Sequence, residues 1–124
     1  MGLVETTGLI GRNREELTEV AFLVDTGSFY SAISPATREK LGLPRGISTQ
    51  VQLADGRIVG AELTVAYLRL NGRECAIPVE VMEVPVPLIG VSALEALGMK
   101  VNPVSGELEV VWPFQAPPTM KRFP

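Results

Sequence analysis

FLVDTGSFYSAIS, Phe22 to Ser34, places a single carboxylate between two kinds of sequence. Upstream of Asp25 runs an apolar segment, Val20, Ala21, Phe22, Leu23 and Val24; downstream comes a turn of small residues, Thr26, Gly27 and Ser28. The five apolar residues do not alternate with polar ones, which is the pattern of a strand buried on both faces. The acid is therefore expected at the mouth of a hydrophobic core. Gly27 has no Cβ, so its backbone can approach the carboxylate and offer an N–H. The Ser28 hydroxyl is placed to donate to the outer carboxylate oxygen, and the Thr26 hydroxyl to reach a backbone group across an interface.

Outward from this stretch, the chain reads as short strands. Leu3 to Ile10 and Leu17 to Val24 form a first hairpin around the polar Gly11 to Glu16. Phe29 to Ile33 is a β-prone return strand. Ser34-Pro35 then starts a helix, with a hydroxyl cap before a proline suited to the first helical position, and Gly42 stops it after Leu41. Ser48 to Leu53 and Ile58 to Ala66 flank Asp55-Gly56, a strong two-residue hairpin signal, and Tyr67 to Leu70 and Glu74 to Val81 flank Asn71-Gly72, the same signal again. Leu88-Ile89-Gly90 is a short buried strand. Val91 to Leu97 is a second short helix, with Val91, Leu94 and Leu97 on its core face. Met99 to Asn102 pairs with Glu107 to Trp112. These elements predict an all-β fold with two short helices, a closed or partly closed barrel. Residues 1–112 form its one domain. The tail, 113–124, holds four prolines without periodicity and reads as extended or disordered. Trp112 and Phe114 fit either a barrel cap or a dimer interface.

With 124 residues, 46% hydrophobic and 20% charged, the chain has the composition of one globular domain. Its net charge of -3 argues against nucleic acid or an anionic membrane as partner. No stretch reaches the roughly 20 apolar residues of a membrane span, and the N-terminus lacks a signal-peptide pattern. The single cysteine, Cys75, fits a reducing compartment, so a cytoplasmic location is expected; it reads as an inert core residue. There is no histidine, which removes Ser-His and Cys-His nucleophilic machinery and most zinc sites. No metal or cofactor is expected. Carboxylate chemistry would have to come from Asp25, Asp55 or the twelve glutamates.

Hydrolysing an amide with a bare water needs a base for the water and an acid for the carbonyl oxygen. Two carboxylates sharing one proton supply both, because like charges about 3 Å apart cannot both ionise. The partner of Asp25 is either Asp55 of the same chain or Asp25 of a second copy. Asp55 has a sufficient reason to exist in its hairpin tip, and Arg57 beside it reads as a solvated strand residue. A two-fold axis through the Asp-Thr-Gly turns would place identical residues opposite one another.

The sequence resembles the retroviral-type, or retropepsin-like, aspartic proteases, of the kind also found in bacteria and archaea. FLVDTGSFYSAIS, the hairpin VQLADGRIVGAEL and VPLIGVSALEALGMKVNP carry the resemblance, in order, over roughly residues 3 to 111. A lone Asp-Thr-Gly is weak; followed about sixty residues later by two apolar residues, glycine and a helix, it is much stronger. The resemblance implies an acid-protease-type barrel with one lobe per chain, acting on peptides as a homodimeric endopeptidase. It implies Asp25 as the catalytic residue, with Thr26 bracing the two turns, Gly27 contacting substrate and Ser28 orienting Asp25. Ala54, Asp55, Gly56 and Arg57 would form a flap over the substrate, and Val86, Pro87 and Leu88 would line side-chain pockets. Phe29, Tyr30 and Val91 stand where the viral enzymes carry charges that pair. Their joint absence feeds an alternative, a non-catalytic binding or dimerisation module on the same fold.

Overall fold

The computed structural model describes residues 4–111. The proposed domain boundary, Trp112, Phe114 and the proline-rich tail lie outside the described residues. Along the chain run β1 (Val4–Asn13), β2 (Glu16–Val24), β3 (Ser31–Ile33), α1 (Pro35–Leu41), β4 (Ile47–Gln52), β5 (Ile58–Leu70), β6 (Arg73–Val81), β7 (Leu88–Ile89), α2 (Val91–Leu97), β8 (Met99–Val101) and β9 (Leu108–Val110). The main sheet has the order β1-β2-β7-β3-β6-β5-β4, and β1 also pairs with β5. That last pairing returns the ladder on itself: β1, β2, β7, β3, β6 and β5 form a closed ring, and β4 extends it as an outer strand. Closure pairs β1 on both sides, so of the two ends of the sheet only β4 remains an edge. β8 and β9 form a separate antiparallel pair.

Both helices have the expected bounds, for the expected reasons. Ser34 Oγ accepts from the Thr37 amide, Pro35 opens α1, and Gly42 closes it in the left-handed conformation at φ 66°. Gly98, at φ 70°, ends α2 in the same way. Asn71 (φ 51°) and Gly72 (φ 78°) both take positive φ, as the two-residue turn joining β5 to β6 requires.

Four expectations are corrected. Residues Tyr67–Leu70 are not a separate strand but the end of β5, since no glycine, proline or polar turn lies between Ala66 and Tyr67. Asp55-Gly56 does not make a two-residue hairpin. Gly56 N donates to Leu53 O at 2.9 Å, Leu53 N to Arg57 O at 2.7 Å, and only Gly56 takes a positive φ, so the loop holds three residues and ends in a glycine bulge. Phe29 and Tyr30 precede β3 instead of belonging to it. The strand before Asp25 is not buried on both faces: Phe22 and Val24 are buried, Leu23 is half-buried and Ala21 is exposed.

That alternation divides the barrel wall. Phe22, Val24, Ile33, Val79, Val81 and Ile89 turn into the core, with Leu94 and Leu97 of α2 packed over them. Val91 is half-buried and lies at the helix edge. Leu23 and Asp25 project from the opposite face of the wall, because side chains two apart in a strand share a side.

Candidate active site

Asp25 follows β2 directly, and its backbone is tied to β7. The Leu23 amide donates to Pro87 O at 3.0 Å and the Asp25 amide to Ile89 O at 2.8 Å, two rungs of the parallel β2–β7 ladder. The Ser28 amide then donates to Asp25 O at 3.1 Å and closes the turn. The Gly27 amide donates to Asp25 Oδ1 at 3.0 Å, as its place in the sequence suggested. A Cβ on Gly27 would lie 3.3 Å from that oxygen, a close contact. Among the described residues Oδ2 makes no hydrogen bond, so one oxygen is fixed by the backbone and the other is left for chemistry.

Ser28 works differently from expectation. Its hydroxyl has one proton, and it donates that proton to Tyr30 O at 2.8 Å, so Ser28 shapes the return segment instead of donating to the carboxylate. Helix α2 holds the same segment from its other side. The Val91 and Ser92 amides donate to Ser28 O and Phe29 O at 2.8 and 2.9 Å, and the Ser92 hydroxyl also donates to Phe29 O. Donors at the start of α2, which a helix cannot satisfy internally, are thus used to build the Asp25 turn. Gly90 makes the approach possible: a Cβ there would sit 2.4 Å from both C and O of Tyr30. Its amide donates to the buried Ser31 hydroxyl at 3.0 Å. The Leu-Ile-Gly element is therefore the second half of the Asp-Thr-Gly turn, folded back onto it.

Asp25, Gly27 and Ser28 line a cavity of about 700 Å³. The hairpin from Val51 to Ala54, with Gly56, lines it as well, and so do Ala32 and Leu88. Asp55 and Arg57 do not line this cavity. The Asp55 carboxylate is spent locally, accepting from the Arg57 amide at 3.0 Å and pairing with its guanidinium at 2.7 Å. Those two contacts, the amide first, hold the Asp55 carboxyl below its ordinary range. Of the three expected pocket residues only Leu88 lines the cavity. Pro87 instead borders a smaller groove of about 300 Å³ with Thr18, Thr37 and Lys40, and Val86 is exposed.

Two residues that sequence reasoning passed over line the cavity too, Glu80 and Glu83. Burial pushes the Glu80 carboxyl above its ordinary range, with no charged neighbour contributing. Its signal was available: Glu80 is an acid between Val79 and Val81 at the apolar end of β6.

Thr26 faces elsewhere. It is exposed and borders a separate groove of about 770 Å³, together with Val4, Val91, Leu94, Met99 and Val101. Phe29, which is 59% exposed, meets Tyr30 edge-on with ring centroids 5.0 Å apart. Cys75 is half-buried against the core, and burial raises its thiol pKa, which disfavours the thiolate form. Among the described residues no three His, Cys, Asp or Glu converge as a metal site would need, and no helix is long and apolar enough to cross a membrane.

Comparison with known proteins agrees with this geometry. The chain is similar to a solved protease from EIAV in complex with the inhibitor HBY-793, at 26% identity and a TM-score of 0.65, over 82% of this chain and 93% of that one. No curated protein matches. Residues 7–103 match the family described as Aspartyl protease, a span that runs from β1 past α2 and takes in both halves of the Asp25 turn. With that span covered, the chain belongs to the aspartyl protease family.

Proposed function

We propose that this protein is an aspartic endopeptidase that works as a homodimer, with one Asp25 from each copy. The observation that carries the reading is the pair of half-features in one chain. A carboxylate with one oxygen fixed and one open borders a peptide-sized cavity, and among the described residues no side chain hydrogen-bonds or pairs with it. Thr26, exposed beside an apolar groove, is where a second copy would meet the first. A two-fold axis there brings the two Asp25 side chains together and doubles the cavity into a through-going cleft.

In the dimer, one Asp25 is ionised and the other protonated, the shared-proton arrangement known for aspartic proteases generally. A water held between them gives its proton to the ionised carboxylate as its oxygen attacks the scissile carbonyl carbon. The protonated carboxyl gives its proton to the carbonyl oxygen, and a tetrahedral diol results. The diol then collapses: the C–N bond breaks, a diol proton returns to one carboxylate, and the other carboxyl protonates the departing amine. The Gly27 amide keeps each carboxylate oriented through both steps. The hairpin around Ala54 to Arg57 covers the substrate from the cavity's far wall, with Gly56 as the joint that gives it its shape.

The absence of the viral charges at Phe29, Tyr30 and Val91 does not disturb the turn, because main-chain bonds from α2 and the Ser28 hydroxyl hold it. That favours the enzyme over a binding module that keeps only the fold. The test is peptide cleavage by Asp25→Asn. Loss of cleavage with an unchanged circular dichroism spectrum is expected, and an excess of the variant chain should extinguish wild-type activity through mixed dimers. Cleavage surviving in the variant would remove Asp25 from the mechanism.

A further inference from the structure

The floor of the cavity is a row of residues in cross-strand register. Ala32 of β3 lies opposite Glu80 of β6 on one side and Leu88 of β7 on the other. Leu88 in turn lies opposite Leu23, whose side chain shares a face with Asp25. Beyond Glu80 the row continues to Leu63 of β5. Glu80 is thus the one charged group in a run of otherwise apolar residues that leads to the catalytic acid.

Its neighbours on both sides are apolar, Leu63 and Ala32, and among the described residues no side chain bonds or pairs with it. Ala32 is small, so the space beside the Glu80 carboxylate stays part of the cavity. The cavity's titratable lining is acidic throughout: Asp25, Glu80 and Glu83, with no lysine or arginine among the described residues that line it. On the neighbouring strand Glu62 points to the other side of the sheet, where its carboxylate accepts from the Gly46 amide and lies 3.8 Å from Arg38 and Arg45. Glu80 is half-buried, and a carboxylate that loses part of its water in an apolar wall without a partner is disfavoured unless something else supplies the opposite charge.

We infer that Glu80 supplies a specificity pocket for a lysine or arginine side chain of the substrate, seated over Ala32 beside the scissile bond. The aliphatic stem of such a side chain packs on Ala32 and Leu88 while its cationic head meets the carboxylate, a division that long basic side chains make readily. In the dimer the pocket occurs twice, so the preference holds on both sides of the cut. This rests on the protease reading of Asp25 and deepens it by naming the substrate class.

The experiment is positional scanning of a peptide library with the full-length chain. Peptides carrying lysine, norleucine or glutamine at each position around the cut are compared by kcat/KM. At one position on each side, lysine should exceed norleucine on the order of tenfold, about the value of one charge-assisted hydrogen bond. In Glu80→Gln that ratio should fall to near one; because it is a ratio, any general loss of activity in the variant cancels. A second reading needs no variant. In the wild type the ratio should rise with pH as Glu80 ionises, above the ordinary carboxylate range, while Asp25 acts alike on both peptides. A wild type that treats lysine and norleucine equally, or favours glutamine as strongly as lysine, overturns the inference. So does a preference that survives Glu80→Gln or stays flat with pH. No cleavage of any peptide overturns the protease reading itself, and this one with it.

Discussion

The Asp25 amide donates to the Ile89 carbonyl at 2.8 Å, so the Asp25 loop hangs from a strand that enters the sheet late in the chain. One residue further, Gly90 lies so close to Tyr30 that no side chain fits between them. The Asp25 turn is thus built from two distant segments that meet backbone to backbone.

Gly90→Ala should therefore strike both stability and activity. Its Cβ would have to displace the Tyr30 main chain, and overpacking of this kind costs about 1–3 kcal/mol. Denaturant unfolding should show a lower midpoint with the same slope. Cleavage should fall more than stability does, since the displaced segment carries the Asp25 turn.

Asp55 and Asp25 are the only aspartates, and their substitutions should part company. Asn at Asp55 still accepts from the Arg57 amide, so the hairpin keeps its turn and cleavage persists. Asn at Asp25 removes the shared proton, and cleavage ends. Equal loss from both, measured on one peptide, would mean that Asp55 does more than shape its hairpin.

Glu80 should leave a mark on the pH dependence of stability. In the unfolded chain its carboxyl ionises in the ordinary range; in the folded chain burial raises the pKa. Between the two values the folded state binds more protons, so stability falls as pH rises through that window and the deficit persists above it. Glu80→Gln should unfold at a higher temperature than wild type at neutral pH, and the two should converge below the ordinary carboxylate range. A variant less stable than wild type at neutral pH would show that Glu80 has a partner in the fold.

Much of this was legible in the sequence, for local reasons. Ser34, Pro35 and Gly42 bound α1 through caps that act within a few residues, and Asn71-Gly72 fixed its turn through two positive φ values. The Gly27 contact to Asp25 also spans only two residues. What escaped depends on distant partners. Ser28 turns to Tyr30 in a segment whose Ser28 and Phe29 carbonyls α2 pins, a constraint set by residues far along the chain. Glu80 gains its meaning from lying opposite Ala32, a parallel pairing between strands that are not neighbours in sequence. The Asp55 turn escaped for a third reason, since the Asp55 side chain caps the Arg57 amide and makes a longer loop as favourable as the two-residue one.

An enzyme assembled from two copies should also lose specific activity on dilution below its dimer dissociation constant, and regain it on concentration. Constant specific activity across that range would require both acids in one chain.

The most direct test of the central claim is calorimetric titration of the chain with a statine-type peptide, whose hydroxyl mimics one oxygen of the diol. One inhibitor bound per two chains, with binding abolished by Asp25→Asn, is the expected result. One inhibitor per chain, or binding indifferent to Asp25, would contradict a site shared between two Asp25 carboxylates.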